Sequence, residues 1–465
     1  MAIPKSEGLR REDFQNRRSL NTKRGRYVIT AACAGAPVNL PFLNALQSYC
    51  EAREAHLRIL PMKAHREPMQ KQPGFYDTIL YPFIEQRFLA TEVKFNENLK
   101  AIDLQINPQQ VDPLSGITRI GRSSMLVAHP VPAMKVLAAS NSGLPRMVHT
   151  TGVCTDPTYL VNRVGLLARQ GHRLGAIVVE LDGNRFHLRQ LQADTDGSIV
   201  DLGLRFCADG SIIEQQAESF TLGDIHAGQH DESALGAWKE VTQFVKPKNI
   251  FLHDLFNGLS INHHMQHNML AKVEVPAHLD TLEKELGVTR EVLYRIAAWN
   301  PESAVSVVDS NHNAWAYGYL TEGTWARDRV NYRTAHRMVG HVLSGKNPLA
   351  AEVDPDNKCR WLGRDEDVLL AGIQHANHGD KGPNGAKASY TNLEQAYGAG
   401  NYGHIHTPGI LRESWFVGTS SILKQGWNSG PSGWLHSSVL TYPSVTPGAI
   451  GLRQMITSLE GDFTA

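Results

Sequence analysis

Hydrophobic positions along this chain switch between a continuous or alternating pattern and helical spacing, and the switches mark out elements. Tyr27–Ala31 is largely apolar, Pro41–Arg53 spaces Phe42, Leu43, Leu46, Tyr49 and Cys50 as on a helix face, and Leu57–Leu60 is apolar again. Strand, helix and strand at this length make a βαβ unit. Further strands are expected at Ser124–Ala128, Lys135–Ala139, Arg146–Thr150, Gly175–Leu181, Arg185–Gln190 and Ser198–Leu202. Asp182-Gly183-Asn184 and Asp196-Gly197 separate the last three as hairpin turns. In the second half, Phe220–Leu222, Ile250–Leu252, Val305–Val308 and Leu369–Ile373 predict short strands. Helices are expected over Leu235–Phe244, Leu279–Trp299 and Arg327–Leu343, and strands at Ser414–Ser421 and Ser437–Tyr442. The fold class is α/β: an N-terminal α/β domain over 27–215, then a domain over 216–465 of two packed sheets flanked by helices. Residues 1–26, with eight basic and three acidic side chains, read as a flexible basic arm.

Five polar clusters lie in the second half, most of them directly after an apolar run. They are Gly223-Asp224-Ile225-His226, His253-Asp254-Leu255-Phe256-Asn257, Ser310-Asn311-His312-Asn313, His378-Gly379-Asp380 and Gly403-His404-Ile405-His406. Side chains at the ends of separate strands can converge above a sheet. Asp, Asn and His in these numbers suit two divalent transition metals. In an extended segment the i, i+2 spacing of Asp224/His226 and His404/His406 puts each pair on one face, with the intervening Ile toward the core. Asp254 can bridge two ions, and Asn311 offers a neutral oxygen. Two divalent ions less two Asp charges and a hydroxide leave the site near +1, suited to a phosphodiester. His312 can protonate a leaving oxygen. The fourth cluster offers His375 or His378, of which His378 is favoured because the following glycine permits a sharp turn. Lys381 and Lys387 bracket a turn that either contacts phosphate or is plain surface. His264, in a run of three histidines near the second cluster, either touches substrate or sits exposed.

Composition narrows the setting. Lys plus Arg and Asp plus Glu are each 46, so the whole chain has no polyanion-binding signature. Five scattered cysteines without a Cys-x-x-Cys pair argue against a disulfide framework and for a reducing, cytoplasmic compartment. No apolar stretch approaches the roughly 20 residues that span a bilayer, so no membrane partner is expected. No GxGxxG or GxxxxGK[ST] marks a nucleotide site. The sequence leaves a homo-oligomer open.

The ordered series Asp-x-His, Asp-x-x-Asn, Asn-His, His and Gly-His-x-His resembles the calcineurin-like metallophosphoesterase superfamily. The segments Arg26–Thr30, His149–Cys154, Phe186–Leu191 and His378–Gly385 extend the resemblance to the early DNA-transfer nucleases of large tailed bacteriophages. The resemblance implies a four-layer αββα domain over 216–465. It implies one metal held by Asp224, His226, Asp254 and His406, and a second held by Asp254, Asn311, His378 and His404. It further implies His312 as catalytic imidazole, two divalent ions of manganese type as cofactor, DNA as partner, and host cytoplasm as location. Two positions depart from the family: His253 stands where glycine is usual, and Asn313 replaces the acid that orients the imidazole. The same metal site serves phosphatases and small-molecule phosphodiesterases. A DNA-binding or assembly protein with a vestigial site is the reading from another class.

Overall fold

The computed structural model describes residues 24–62, 76–83, 92–117, 121, 123–140, 145–262, 275–425 and 428–463. The chain opens with β1 (Arg24–Cys33), α1 (Leu40–Ala52) and β2 (His56–Met62), the expected βαβ unit with β1 and β2 parallel. β3 (Glu92–Lys94), β4 (Leu99–Ile102), β5 (Ser124–Val127), β6 (Ala133–Leu137) and β7 (Arg146–Thr150) follow. Then come α2 (Arg163–Gly171) and the antiparallel pair β8 (Gly175–Asp182) and β9 (Arg185–Gln192). Strands β2-β1-β8-β9 form one sheet. Along β1, Val28 and Ala32 face α1 while Tyr27, Ile29, Ala31 and Cys33 face the opposite core, the period of two that a strand buried on both sides requires. A small antiparallel sheet, β10 (Ile199–Asp201), β11 (Leu204–Phe206) and β12 (Ile212–Glu214), comes next. Asp182-Gly183-Asn184 makes the expected hairpin, but Asp196-Gly197 does not: β10 pairs with β11 in a separate sheet.

The second half alternates strand and helix: β13 (Ser219–Thr221), α3 (Glu232–Val245), β14 (Asn249–Leu252), α4 (Leu282–Ala297) and β15 (Ala304–Val307). α5 (Asn311–Thr321), α6 (Tyr332–Leu343), α7 (Pro348–Val353) and β16 (Arg360–Trp361) continue it. The chain then forms β17 (Leu369–Leu370), β18 (Ile373–Gln374), α8 (Tyr390–Tyr397), β19 (Gly400–Tyr402), β20 (Gly409–Leu411), β21 (Ser414–Phe416), β22 (His436–Tyr442) and β23 (Leu452–Ser458). A six-stranded sheet runs β16-β15-β14-β13-β22-β23, with β13 to β16 mutually parallel. Ile250 and Leu252 of β14 turn toward α3–α7, where Trp238 meets Phe220 edge-on, while Phe251 turns to the opposite face. Val439 and Met455 on that opposite face pack against Met134, Ile410 and Trp415 of a second, ten-stranded sheet.

That second sheet runs β17-β18-β19-β21-β20-β6-β7-β5-β4-β3. Half of it comes from residues before 151, joined where β20 pairs antiparallel with β6. The boundary placed near 215 therefore does not interrupt the sheets. Gln454 of β23 also donates to the Gln190 carbonyl, and Arg453 lies near Glu413 and stacks over Trp415. Of the expected basic arm, Arg24–Arg26 begin β1 and residues 1–23 lie outside the described residues.

Two of the expected strands change, and one helix is new. Leu369–Ile373 is not one strand but a tight hairpin, since Ala371 and Gly372 have φ 51° and 72° and reverse the chain. Ser414–Ser421 is a strand only to Phe416. The helix α5 is hidden in the sequence because polar His312 and Asn313 lie on its buried face and mask the apolar period.

Candidate metal centre

Parallel pairing of β13, β14 and β15 places their C-terminal ends along one edge, where an open α/β sheet carries its ligands. Three clusters leave from that edge, and the other two leave the ends of β18 and β19, which pair in parallel in the second sheet. Arg364 ties the two rims together, its Nε 3.0 Å from Asp309 Oδ2 and its Nη1 2.6 Å from Asp380 Oδ1.

The converging atoms come very close. His378 Nε2 lies 3.1 Å, His226 Nε2 3.7 Å and His312 Nε2 4.0 Å from Asp254 Oδ2. His406 Nε2 is 3.0 Å from Asp224 Oδ2, which also accepts from the His404 backbone at 2.7 Å. His226 Nε2 and His406 Nε2 face each other at 3.0 Å. Two neutral imidazoles in that pose repel through their lone pairs unless a proton or a cation sits between them. Asn311 Oδ1 and His404 Nδ1 are 3.2 Å apart. Asp224, His226, Asp254, His378 and His406 are buried, whereas Asn311 and His404 are half-buried and form the mouth.

The expected ligands Asp224, His226, Asp254, Asn311, His378, His404 and His406 are thus all brought together. The i, i+2 argument for two of the clusters does not describe how. His226, Asp254, His404 and His406 have φ of 49°, 42°, 78° and 54°, so the backbone turns left-handed at the ligands instead of running extended. Non-glycine residues in that region cost of order 1–3 kcal/mol and gather at functional sites. Ile225 is buried as expected, but Ile405 is 38% exposed because the His404 turn carries it outward. At Asp254 the turn also breaks side-chain alternation, and both His253 and Asp254 reach the centre. His253 Nδ1 is 3.2 Å from His378 Nδ1. The sequence showed His253 only as a departure from family glycine.

Electrostatics follow from burial and proximity. Burial alone would raise Asp254, but His378 and His312 outweigh it and hold the carboxylate well below its ordinary range. Burial opposes charge on His378 too, and the Asp254 carboxylate wins, lifting it to about 9. Burial and the neighbouring His312 push His226 down to about 3. A divalent cation would supply the same neutralisation as the His378 proton and more. Asp224 Oδ1 and Asp254 Oδ1 are buried without a hydrogen-bond partner among the described residues, and such oxygens are costly unless something positive meets them. Asp224, His226, Asp254 and His406 stand close enough to share one ion, and so do Asp224, His253 and His378.

His312 is the second residue of α5, capped by Ser310. Its Nδ1 donates to the Asn257 carbonyl, leaving Nε2 toward the centre, and its ring lies 4.1 Å from Trp315. The backbone of Asn257 takes the orienting role of the missing acid. The Asn313 backbone instead binds the Ser310 hydroxyl. His375 is held elsewhere, 3.2 Å from Thr221 Oγ1 and 3.4 Å from Ser219 Oγ, stacked on Phe251. Gly379 after His378 has φ 96°, the sharp turn expected there. Lys381 and Lys387 pair across an exposed loop and touch none of the ligands through a described contact. His264 lies outside the described residues. Trp315 and Trp434, whose rings lie 4.1 Å and 4.2 Å from His312 and His406, flank the centre without a sequence signal of their own.

The fold is thus a mixed α/β protein with a buried His/Asp centre fit to hold metal. Protein A1 of Escherichia phage T5 is similar to it, 27% identical over 482 aligned residues that cover 95% of this chain and 83% of that protein. No family model matches the chain, and no solved structure matches it. No helix among the described residues is long and apolar enough to cross a membrane.

Proposed function

We propose that this chain is a two-metal phosphodiesterase that cuts DNA, a nuclease of the phage type. The observation that carries the reading is Asp254 Oδ2 with three imidazole Nε2 atoms within 4.0 Å, drawn from three separate segments. A carboxylate so placed fits a position shared by two cations. Asp224, His226, Asp254 and His406 would hold one ion. Asp254, Asn311, His378 and His404 would hold the other, and manganese suits the mixed His, Asp and Asn set. Bound divalent ions of this kind make water a nucleophile near neutral pH and clamp a phosphate for in-line displacement.

The chain's own residues do the rest. Burial of Asp224 and Asp254 keeps bulk water from competing for the cations. Asn311 and His312 begin α5, whose N-terminal amides favour an anion at that spot. His312, fixed at Nδ1 by Asn257, presents Nε2 to deliver a proton to the departing oxygen. Helices on the outer face of the six-stranded sheet and α8 against β19 and β21 support a four-layer arrangement. Likeness to a bacteriophage protein over 95% of the chain supports the phage reading.

Purified protein incubated with circular and linear DNA in Mn²⁺, Mg²⁺ or chelator tests this. Nicked or shortened DNA with Mn²⁺, lost with chelator, is expected. Hydrolysis of phosphomonoesters or cyclic nucleotides with intact DNA would move the assignment to a phosphatase or small-molecule phosphodiesterase.

A further inference from the structure

We propose that His253 is a positioning residue that fixes the tautomer and orientation of His378, an inference that rests on the metal reading above. His378 Nε2 points to Asp254 Oδ2 at 3.1 Å, so Nε2 is the atom available to a cation and Nδ1 faces away. An imidazole that lends its Nε2 lone pair carries its proton on Nδ1, and that proton needs an acceptor. The atom found there is His253 Nδ1, at 3.2 Å. His253 must then carry its own proton on Nε2, a buried atom with no hydrogen-bond partner among the described residues.

The surroundings hold this pair rigidly. Both rings are buried, at 0% and 1% exposure, and stack with centroids 5.4 Å apart and planes at 27°. The His253 carbonyl accepts from Ile225 N at 3.1 Å, anchoring the residue between the ends of β13 and β14. Gly403 leaves the room, since a Cβ there would lie 2.9 Å from His253 Cγ. Metal-bound histidines usually lean on a carboxylate or a carbonyl. A neutral imidazole in that role orients the ring without adding negative charge, and the centre stays more positive toward an anionic substrate.

Asn and Gln at position 253 separate the two ring nitrogens, because an Asn amide oxygen can occupy the place of Nδ1 and a Gln amide that of Nε2. Manganese titration of the whole protein, followed by calorimetry and elemental analysis, is the readout. H253N should bind both ions within about threefold of the parent, and H253Q should bind one of them about 10–100-fold more weakly. Tighter binding by H253Q than by H253N would show that Nε2 contacts the ion directly and would overturn the proposal, as would parental binding by both variants. A check independent of any variant is side-chain ¹⁵N NMR of the zinc-loaded parent. His378 should be protonated at Nδ1, and an unprotonated Nδ1 there refutes the proposal even if the variants fail to fold. A parent protein that binds no divalent ion would instead sink the phosphodiesterase reading itself.

Discussion

Gly403→Ala is the smallest change that should disturb the centre. Gly403 opens the last of the five polar clusters, and its N–H donates to the His378 carbonyl of the fourth at 2.8 Å. A Cβ at this position would stand 2.3 Å from Asp224 Oδ1, 2.9 Å from His253 Cγ and 3.0 Å from His253 Cβ. Ordinary carbon–oxygen contact begins near roughly 3.3 Å, so the carboxylate or the backbone must move by about 1 Å. Metal sites tolerate about 0.2 Å in ligand distance, so Asp224 would leave its ion. Both Asp224 and His253 are fully buried, and no flexible tip is available to absorb the clash. Overpacking of this kind costs about 1–3 kcal/mol, and affinity for at least one ion should fall by more than about tenfold. Gly236→Ala is the control, because no described residue comes within 4 Å of its Cβ position on α3. There alanine should stabilise by about 0.5–1 kcal/mol, since glycine is the poorer helix former. Denaturant melts of the metal-free proteins and manganese titrations measure both quantities. Parental metal affinity and stability in Gly403→Ala, or the same loss in Gly236→Ala, would refute the steric reasoning.

Three further outcomes are expected. His312→Ala should keep both ions and DNA binding while turnover falls by about 10²–10⁴; a nitrophenyl phosphodiester, which needs little protonation, should partly rescue it, and equal loss on both substrates would remove the acid role. His378→Ala should lower the metal content by one ion, whereas His375→Ala, whose ring is bound to Ser219 and Thr221, should leave it intact; elemental analysis decides, and the opposite result reverses the assignment. The third outcome concerns acid. Burial pushes His129, His149 and His172 down from 6.5 to about 4, each held neutral with one ring nitrogen accepting and the other donating. The unfolded chain takes up these protons first, so their stabilisation is present above pH 6.5 and is lost as pH falls toward 4. At about 1.36 kcal/mol per unit, each is worth on the order of 2–3 kcal/mol by then, and denaturant midpoints that stay level from pH 7 to 4.5 would contradict it.

The apolar pattern determined much of this protein. β1, α1 and β2 lie where spacing placed them, because a buried strand or an amphipathic helix writes its period directly into the chain. The residues that converge were also legible, since Asp, Asn and His at strand ends are chemistry that a surface loop has little need of. Other features were not. α5 hid because its buried face includes His312 and Asn313, so its apolar period is broken. The ten-stranded sheet hid because β20 and β6 are nearly 280 residues apart, and pairing at that distance leaves no local trace. His375 and His378 could not be separated by spacing alone; only the hydroxyls of Ser219 and Thr221 draw one ring away from Asp254. The left-handed turns at His226, Asp254, His404 and His406 were likewise decided by the surrounding fold, because an isolated L-residue disfavours that conformation. Residue type set what the centre can bind. Tertiary packing set which atoms face it, because orientation depends on neighbours that sequence distance does not reveal.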